Sequence, residues 1–301
     1  MSRTGYLQRV GAGMVLAAMV AGAALAQDEP TAAENRAGPD LDSEHLFGFT
    51  EGTDLGVPGE LELEQETTGR IGKRGGTFRA FDPTLALKIP LSENFRVAPG
   101  LSFAAYDVAR GAGLPSSVRG GFNGAFLETR ARLLDRRTAP VGLTLSLVPS
   151  IGMRDSGTGL SARSHGLEAS LLLDRELIPG RLVGALNVSY AFARTRPDGA
   201  DAGELGSGLE VSGALAYRVL PSLFLGGEVR YLRAYDGLGL DRFAGEAVYL
   251  GPTLYASVSD HAWVSFTWGT QVAGRAVGEP GPLDLTGFDR HQARLRIGYS
   301  F

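Results

Sequence analysis

Charged side chains alternate with apolar or neutral ones in the run ELELEQETTG, where Leu61, Leu63 and Gln65 separate four carboxylates. Successive side chains of a β-strand point to opposite faces, so these carboxylates would form one column along a strand. Like charges stacked in this way repel each other unless the neighbouring strand supplies cations. The four carboxylates are Glu60, Glu62, Glu64 and Glu66.

Cations of the matching pattern occur in the last segment of the chain, RHQARLRIGYSF, where Arg290, Arg294 and Arg296 share one face. If this segment pairs antiparallel with the first strand, Glu62 lies near Arg296 and Glu66 near Arg290. The spacing therefore predicts an acid–base ladder across a seam that joins the two ends of a sheet. Each opposed pair contributes roughly 0.2–1 kcal/mol.

The two-residue alternation recurs along the chain, for example in GLTLSLVPSIGMR and RLVGALNVSYAFAR. This period indicates β-strands and not helices. Many of the strands are longer than the ~5–6 residues usual in soluble sheets and suit the ~9–11 residues of a tilted membrane-spanning strand. About twelve strands are predicted, at 59–70, 77–90, 95–108, 122–134, 141–154, 165–174, 181–195, 207–219, 223–235, 244–258, 263–274 and 288–301.

Short connections between these strands, such as LSEN and LPS, alternate with longer ones such as PDGADAGELG. That asymmetry is typical of bacterial transmembrane barrels. A soluble sandwich also alternates, but the polar face here is mostly small or charged, as in a closed barrel. The chain is therefore predicted to be all-β, a transmembrane antiparallel up-and-down barrel.

The last strand ends in Tyr299 and Phe301, and it resembles the C-terminal strand signature of bacterial outer-membrane barrels. That resemblance implies recognition by the barrel-insertion machinery, with outer-membrane lipid around the folded protein. The alternative is an ordinary edge strand.

The first 26 residues have the features of a secretory signal peptide. Arg3 and Arg9 precede an apolar stretch, and Ala24-Leu25-Ala26 forms a small-x-small cleavage site. A retained anchor is the alternative, although the apolar run is short for a span of ~20 residues. We predict cleavage near Ala26 and delivery to the outer membrane of a Gram-negative bacterium.

Two further parts follow the predicted leader. Residues 27–58 are acidic and rich in turn formers, which predicts a periplasmic arm. The more apolar piece LFGFTEGTDLG could instead form a partial plug in the barrel mouth. Residues 59–301 form the predicted barrel.

Composition excludes several classes of function. The chain has no cysteine, and therefore no disulfide, thiolate metal site or lipoprotein anchor. The net charge is −4, and it becomes −6 once the leader's two arginines are removed, which argues against nucleic acid as a partner. No cofactor is predicted.

The inward face of the predicted barrel carries further charges of both signs. Such an interior is either a water-filled pore or a salt-bridged, nearly closed lumen, and the pattern leaves both open. The predicted lumen-lining residues are Lys88, Arg96, Glu128, Arg130, Arg132, Arg154, Glu210, Arg218, Glu228 and Arg230.

Catalytic motifs are weak in this chain. It contains no HExxH and no GxSxG, and no pair of its histidines has metal-ligand spacing. A lipid hydrolase is the enzymatic alternative, with Ser164 and His165 at a loop edge and His291 on the outward face of the last strand as its candidates. We predict that the protein is not an enzyme and has no catalytic residues.

The run LDSEHLFGFTEGTDLG, followed by ELEQETTGRIGKRGG and hairpins to a terminal Phe, is similar to uncharacterised proteobacterial barrels. It distantly resembles the porin-like family named for the MetA pathway of phenol degradation. That resemblance implies transport, with apolar aromatic substrates proposed for the family, and no functional residue carries over. The lumen here is more charged than a route for apolar compounds would favour.

These features together predict passive passage of small solutes across the outer membrane. A structural or surface-interaction barrel with a salt-bridged, closed lumen is the second hypothesis, and a lipid-modifying enzyme is the third.

Overall fold

The computed structural model describes residues 41–109 and 117–301. The predicted signal peptide, its cleavage site near Ala26, and residues 27–40 of the predicted arm lie outside the described residues.

Twelve antiparallel strands form one closed ring, in which each strand pairs with its neighbours in the chain and β1 pairs with β12. Closure satisfies every strand's backbone groups without leaving an open edge. The strands are β1 (Glu62–Lys73), β2 (Gly76–Ser92), β3 (Phe95–Ala109), β4 (Ser117–Leu134), β5 (Gly142–Arg154), β6 (Ser161–Ile178), β7 (Leu182–Pro197), β8 (Glu204–Leu220), β9 (Leu223–Asp236), β10 (Phe243–Ser257), β11 (Ala262–Ala276) and β12 (His291–Ser300).

The prediction of a twelve-stranded, antiparallel, up-and-down barrel is confirmed. Strand ends differ by several residues in places: β1 begins at Glu62 and not at residue 59, and β4 begins at Ser117 and not at residue 122. β6 is longer than predicted at both ends, because backbone pairing continues through polar residues beyond the apolar alternation. Glu60, predicted within the first strand, lies before β1 and is exposed.

The two faces of the wall differ in polarity. Outward positions carry exposed apolar side chains, which form a band around the barrel, and inward positions are mostly polar, charged or small. Within the described ranges no helix is long and apolar enough to cross a membrane. Exposed apolar residues of the band include Leu63, Leu85, Leu101, Phe103, Ile151, Leu171, Leu186, Leu215, Val229, Leu250, Phe266 and Ile297.

The two rims of the barrel differ in the length of their connections. At one rim, called the turn end here, β1 begins and β12 ends, and short connections such as residues 93–94 and 221–222 join the strands. The opposite rim, called the loop end, carries longer connections such as 155–160 and the fourteen-residue connection 277–290.

Residues 41–58, called the inner segment here, lie inside the ring and not beside it. Leu46, Phe47, Thr50 and Leu55 are almost completely buried. Leu46 and Phe47 pack with inward residues of β7, β8 and β9 in one apolar cluster. The inner segment has no strand pairing of its own, so its contacts with the wall run through side chains.

Candidate functional site

The lumen beside the inner segment is the most highly charged part of the described structure. An unpaired chain inside a barrel has backbone N–H and C=O groups that need partners. Wall side chains supply them. Glu228 accepts hydrogen bonds from the backbone N–H groups of Phe49 and Thr50, at 2.8 and 3.0 Å. Arg296 and Arg294 donate to the carbonyl oxygens of Phe47 and Gly48, at 3.1 and 3.2 Å.

The return limb of the inner segment is held in the same way by β5, β6 and β7. Asn187 accepts from the N–H of Glu51 at 2.6 Å and donates to its carbonyl at 2.9 Å. Asp174 accepts from the N–H and the hydroxyl of Thr53, at 2.9 and 2.8 Å. Thr144 donates to the carbonyl of Thr53 at 2.7 Å. Inward polar side chains of the wall therefore supply the hydrogen bonds that a neighbouring strand would otherwise give to this backbone.

Three carboxylates of the inner segment pair with wall cations, and Glu44 has the most partners. Its carboxylate lies 2.8 Å from Lys88 Nζ, 2.6 Å from Arg96 Nη1 and 3.4 Å from Arg130 Nη1. Burial of Glu44 disfavours its charge, but Arg96 and Lys88 outweigh that cost and hold its pKa well below the usual range. Glu44 is therefore ionised at neutral pH.

Glu51 and Asp54 extend the ionic contacts along the segment. Glu51 pairs with Arg130 and lies 3.3 Å from Arg294. Burial opposes the charge of Glu51, but the two guanidinium groups lower its pKa to about 2. Asp54 lies 2.6 Å from Arg136 Nη2.

Two glycines permit the close packing of the segment. A Cβ on Gly48 would lie 2.6 Å from Glu228 Oε1, and one on Gly52 would lie 2.3 Å from the carbonyl oxygen of Ser43. Both approaches are closer than real Cβ atoms tolerate, so the compact hairpin of the inner segment depends on these two positions.

The seam between β1 and β12 is antiparallel, as predicted, but the described structure forms neither the predicted pair Glu62–Arg296 nor the predicted pair Glu66–Arg290. Glu66 lies 2.9 Å from Arg294, whereas Glu62 and Glu64 lie 2.9 and 2.8 Å from Lys88 of β2. The register explains this difference, because Glu62 faces Ser300 on one side and Lys88 on the other.

The other residues predicted for the seam ladder either lie outside it or contact other partners. Glu60 is exposed before β1. Arg290 precedes β12 and donates to the carbonyl of Gln271 at 3.0 Å. Arg296 donates to Phe47, as described above, and to Ser265 at 3.2 Å. Contacts with the inner segment therefore replace part of the ladder predicted between β1 and β12.

Most of the other predicted lumen residues surround the inner segment. Lys88, Arg96, Arg130, Arg132, Glu228 and Arg230 contact it directly. Glu128 pairs with Arg96 and Arg130, and Glu210 binds Arg230 at 2.7 and 3.0 Å.

Two predicted lumen residues and the terminal aromatics lie apart from the inner segment. Arg154 donates to the carbonyls of Gly159 and Gly120 near the loop end. Arg218 lies 4.9 Å from the ring of Phe224. Tyr299 and Phe301 are exposed at the turn end, where their rings lie 6.4 Å apart. The described structure does not test their role in insertion.

Sequence reasoning missed the acids of the inner segment as partners of the wall. A signal was present, because basic residues outnumber acidic ones in the predicted lumen set while residues 42–54 carry Asp42, Glu44, Glu51 and Asp54. Because buried charges need partners of opposite sign, these acids could have been expected to pair with the excess of basic lumen residues.

The structure also separates Ser164 from His165, the pair raised for a lipid hydrolase. Ser164 is buried inside and hydrogen-bonds with Thr195 at 3.1 Å, while His165 is exposed outside. A nucleophile and its base need hydrogen-bond contact, and these two side chains point to opposite faces of β6. His291 lies on the outward face, as predicted, with Nδ1 3.0 Å from Thr270 Oγ1.

Space in this part of the lumen is limited. Two cavities of about 50 Å³ each flank the ion pairs of Glu51, and both are lined by Glu51, Glu128 and Arg294. Each has room for a few water molecules. A larger cavity of about 350 Å³ opens at the turn end, between Asp42, Val57 and Arg136.

Comparison with solved structures supports the fold. The COG4313 outer membrane channel from Pseudomonas putida F1 matches with a TM-score of 0.53 and 12% identity, over 83% of this chain and 98% of that chain. The beta domain of the Bordetella autotransporter BrkA matches with a TM-score of 0.52 and 13% identity, over 80% of this chain and 99% of that chain. At such identities the likeness shows the fold alone, which is that of outer-membrane barrels.

Sequence comparisons give a family. No curated protein sequence matches the chain. The resemblance to the MetA-pathway family is not confirmed. A different family model, the family of unknown function DUF6662, matches residues 39–301, and the chain belongs to that family.

Proposed function

We propose that this protein is an outer-membrane channel for small polar solutes, whose route the inner segment closes in the conformation described above. The proposal is carried by one observation: an acidic segment without strand pairing fills a lumen lined with cations. The apolar outer band and the closed ring support a location in lipid.

The contacts of the inner segment are of a kind that can be reversed. Its backbone takes no part in the ladder of the barrel, so it can leave without breaking the wall. Most of its polar contacts join charged groups, and both sides regain hydration when they separate.

Removal of the inner segment would leave a wall of mixed charge at this depth. Lys88, Arg96, Arg130 and Arg294 would each lose an acidic partner, but each keeps a carboxylate of the wall: Glu62 and Glu64, Glu128, or Glu66. Only a ring of one charge sign favours ions of the opposite sign. The substrate class that fits this wall is therefore small polar solutes, and not the apolar aromatics of the MetA-pathway resemblance.

Planar-bilayer recording tests this function. The matched variant is the triple substitution Glu44→Gln, Glu51→Gln and Asp54→Asn, which keeps the length of the segment and removes its ionic contacts. We expect the unchanged chain to be closed for most of the recording, and the variant to show discrete open steps. In a KCl gradient, the reversal potential of the variant should lie near zero, because the wall carries both charge signs.

A structural barrel with a permanently filled lumen is the second candidate, and closure of the loop end by connections 155–160 and 277–290 favours it. Heat-dependent migration on gels would confirm that the triple variant is folded. Silence of the folded variant, together with silence of a second variant lacking residues 41–58, would reject the channel and favour this candidate.

A further inference from the structure

His45 lies among four carboxylates where the inner segment meets β1. Its ring is 2% exposed and stacks on the indole of Trp263, with 3.7 Å between ring centroids. Nε2 lies 3.4 Å from Glu62, and 3.7 Å from both Asp42 and Glu44.

These separations have a chemical meaning. A charge-assisted hydrogen bond from an imidazolium to a carboxylate spans about 2.7–2.9 Å. Two ligand atoms that share a tetrahedral zinc ion, each at about 2.1 Å from it, lie roughly 3.4 Å apart. The distances around Nε2 agree with the second arrangement. The other ring nitrogen, Nδ1, is buried 3.8 Å from Glu64 and has no hydrogen-bond partner among the described residues, so no direct hydrogen bond at Nδ1 fixes the ring.

The carboxylate oxygens divide into two groups. Lys88 Nζ contacts Oε1 of Glu44, Oε1 of Glu62 and Oε2 of Glu64, at 2.8 to 2.9 Å. Nε2 of His45 faces the other oxygen of Glu44 and of Glu62, together with Oδ2 of Asp42. The ammonium group thus lies on one side of the cluster, and the imidazole nitrogen faces three oxygens on the other.

We propose that Asp42, Glu44, His45 and Glu62 bind a divalent cation of the zinc class. One imidazole nitrogen with carboxylate oxygens suits zinc, which accepts both ligand types in four-coordinate sites. The ligand atoms of Asp42, Glu44 and His45 lie within 4.8 Å of one another, and those of His45, Glu62 and Glu64 form a second such group. His45 belongs to both groups, so a shift of the Glu62 carboxylate toward Asp42 and Glu44 would bring all four residues onto one ion.

Neighbouring groups would orient these ligands. The indole N–H of Trp263 donates to Oε2 of Glu62 at 2.8 Å. Arg96 donates to both oxygens of Glu44 at 2.6 Å. Partners of this kind fix the direction of metal ligands in proteins.

An entry route exists at the turn end. The side chain of Asp42 is half exposed and lines the cavity of about 350 Å³ that opens there. A cation can reach the cluster from that side while His45 and Glu44 remain buried.

Three of the ligands belong to the inner segment and one to the wall, so the ion would fasten the segment to β1. The effect of the ion on channel opening rests on the proposed channel function, whereas the ion-binding site itself does not. Binding itself can be measured without transport, and the two hypotheses can therefore fail separately.

Isothermal titration of the full chain, folded in detergent and freed of metal with EDTA, tests the site with zinc chloride. The variant is His45→Ala, and the matched control is His261→Ala, which removes an exposed imidazole at the same rim. We expect one site in the unchanged chain and in the control. Loss of a ligand should weaken binding about tenfold or more.

A second measurement uses Trp263 as a reporter. The chain has two tryptophans, so in a Trp268→Phe background the emission comes from Trp263 alone. We expect Co²⁺ to quench this emission at saturation and to show the strong visible absorption of a four-coordinate site. His45→Ala should abolish both signals.

Equal zinc affinity in the unchanged chain and in His45→Ala would overturn the proposal, and so would Trp263 emission that saturating Co²⁺ leaves unchanged. If His45→Ala does not fold, Asp42→Asn replaces it, because Asp42 is half exposed. Undiminished binding by folded Asp42→Asn would then reject the site. Zinc binding by a chain that never conducts would uphold the site and reject the channel.

Discussion

The two halves of the lumen are closed by different kinds of contact. At the turn end, Glu44, Glu51 and Asp54 of a separate segment pair with cations of the wall. At the loop end, the connection 277–290 folds inward, where Phe288 packs in an apolar cluster with Leu232 and Tyr249.

Two uncharged side chains of the wall donate to backbone carbonyls of this connection. Tyr249 donates to the carbonyl of Asp289 at 2.5 Å. Gln271 donates to the carbonyls of Asp284 and Asp289, at 3.0 and 3.2 Å. This connection is also joined at both ends to wall strands, β11 and β12.

The difference indicates which closure can open. Ionic groups of the inner segment regain hydration when their contacts break. Both closures expose apolar side chains when they open, but only the loop closure is joined to wall strands at both ends. We therefore expect the turn end to be the movable half of the barrel.

Protonation also separates the two halves. The pKa values of Glu44 and Glu51 are lowered, since nearby cations outweigh the effect of burial. The pKa values of Asp284 and Asp289 are raised, because burial dominates there. A fall in pH must therefore weaken the contacts of Glu44 and Glu51 but favour the buried state of Asp284 and Asp289. Asp42 of the inner segment behaves like the loop end, because desolvation raises its pKa to about 6.

The largest effect is expected from Glu44→Ala, which leaves Lys88, Arg96 and Arg130 without this partner. Loss of one member of a buried ion pair costs roughly 3–5 kcal/mol. Because the chain has no cysteine, Thr50→Cys places a single thiol at a fully buried position. In EDTA, this thiol should react with a water-soluble maleimide roughly a hundredfold faster or more in Glu44→Ala than in the chain with Glu44 intact. The reason is that loss of the buried ion pairs lowers the free energy needed to expose the thiol.

Glu60→Ala is the matched control for this prediction, because Glu60 is an exposed glutamate just before β1. It should leave the reaction rate of the Thr50→Cys thiol unchanged. Equal rates in Glu44→Ala and Glu60→Ala would show that the ionic contacts do not hold the segment.

Gly52→Ala tests the inner segment without changing a charge. Its Cβ would lie 2.3 Å from the carbonyl oxygen of Ser43, so the hairpin of the segment must open. Overpacking costs roughly 1–3 kcal/mol, and labelling of Thr50→Cys should be about tenfold faster. Gly227→Ala, where the added Cβ meets only an ordinary contact at 3.5 Å, should have no effect on labelling.

Gln271→Ala should loosen the loop end and leave the turn end unchanged. The variant leaves the carbonyl of Asp284 without this donor, a loss worth about 1 kcal/mol, while the carbonyl of Asp289 keeps Tyr249 as its donor. Hydrogen exchange of residues 282–290 should be roughly fivefold faster, with exchange of residues 41–55 unaltered. Faster exchange in both regions would show that the two closures open together.

Mild acid should produce the smallest change, and it should not loosen the inner segment. The stabilising effect of Glu51 is complete above its unfolded pKa of 4.5 and is lost only as the pH falls toward about 2. The effect of Asp284 and Asp289 has the opposite sign: it is complete below 3.8 and is lost as the pH rises through the raised values.

As the pH falls through the raised pKa values of Asp284 and Asp289, hydrogen exchange corrected for its intrinsic rate should therefore slow in residues 282–290. Exchange of residues 41–55 should not become faster until the pH is below about 4.5, because protonation of Asp42 near pH 6 favours the folded segment and Glu51 is still ionised there. Faster exchange of residues 41–55 at pH 5 would contradict the lowered pKa values of Glu44 and Glu51.

The local sequence was enough to predict the wall of the barrel. Alternation places Leu63 outside and Glu64 inside whatever the rest of the chain does, because the side-chain period of a strand is two. The same rule correctly assigned inward faces to residues such as Arg96, Arg130 and Arg230. It could not predict the extra length of β6, since backbone pairing there continues through polar residues.

Only the tertiary structure decided what those inward charges bind. Lys88 lies 24 residues from Glu64 and 44 from Glu44 in the chain, yet it contacts both. The partner of an inward charge depends on the strand register and on what enters the lumen, and neither is written in the local alternation. For the same physical reason His45, one residue of an acidic stretch, gained its carboxylate neighbours only when the inner segment folded against β1.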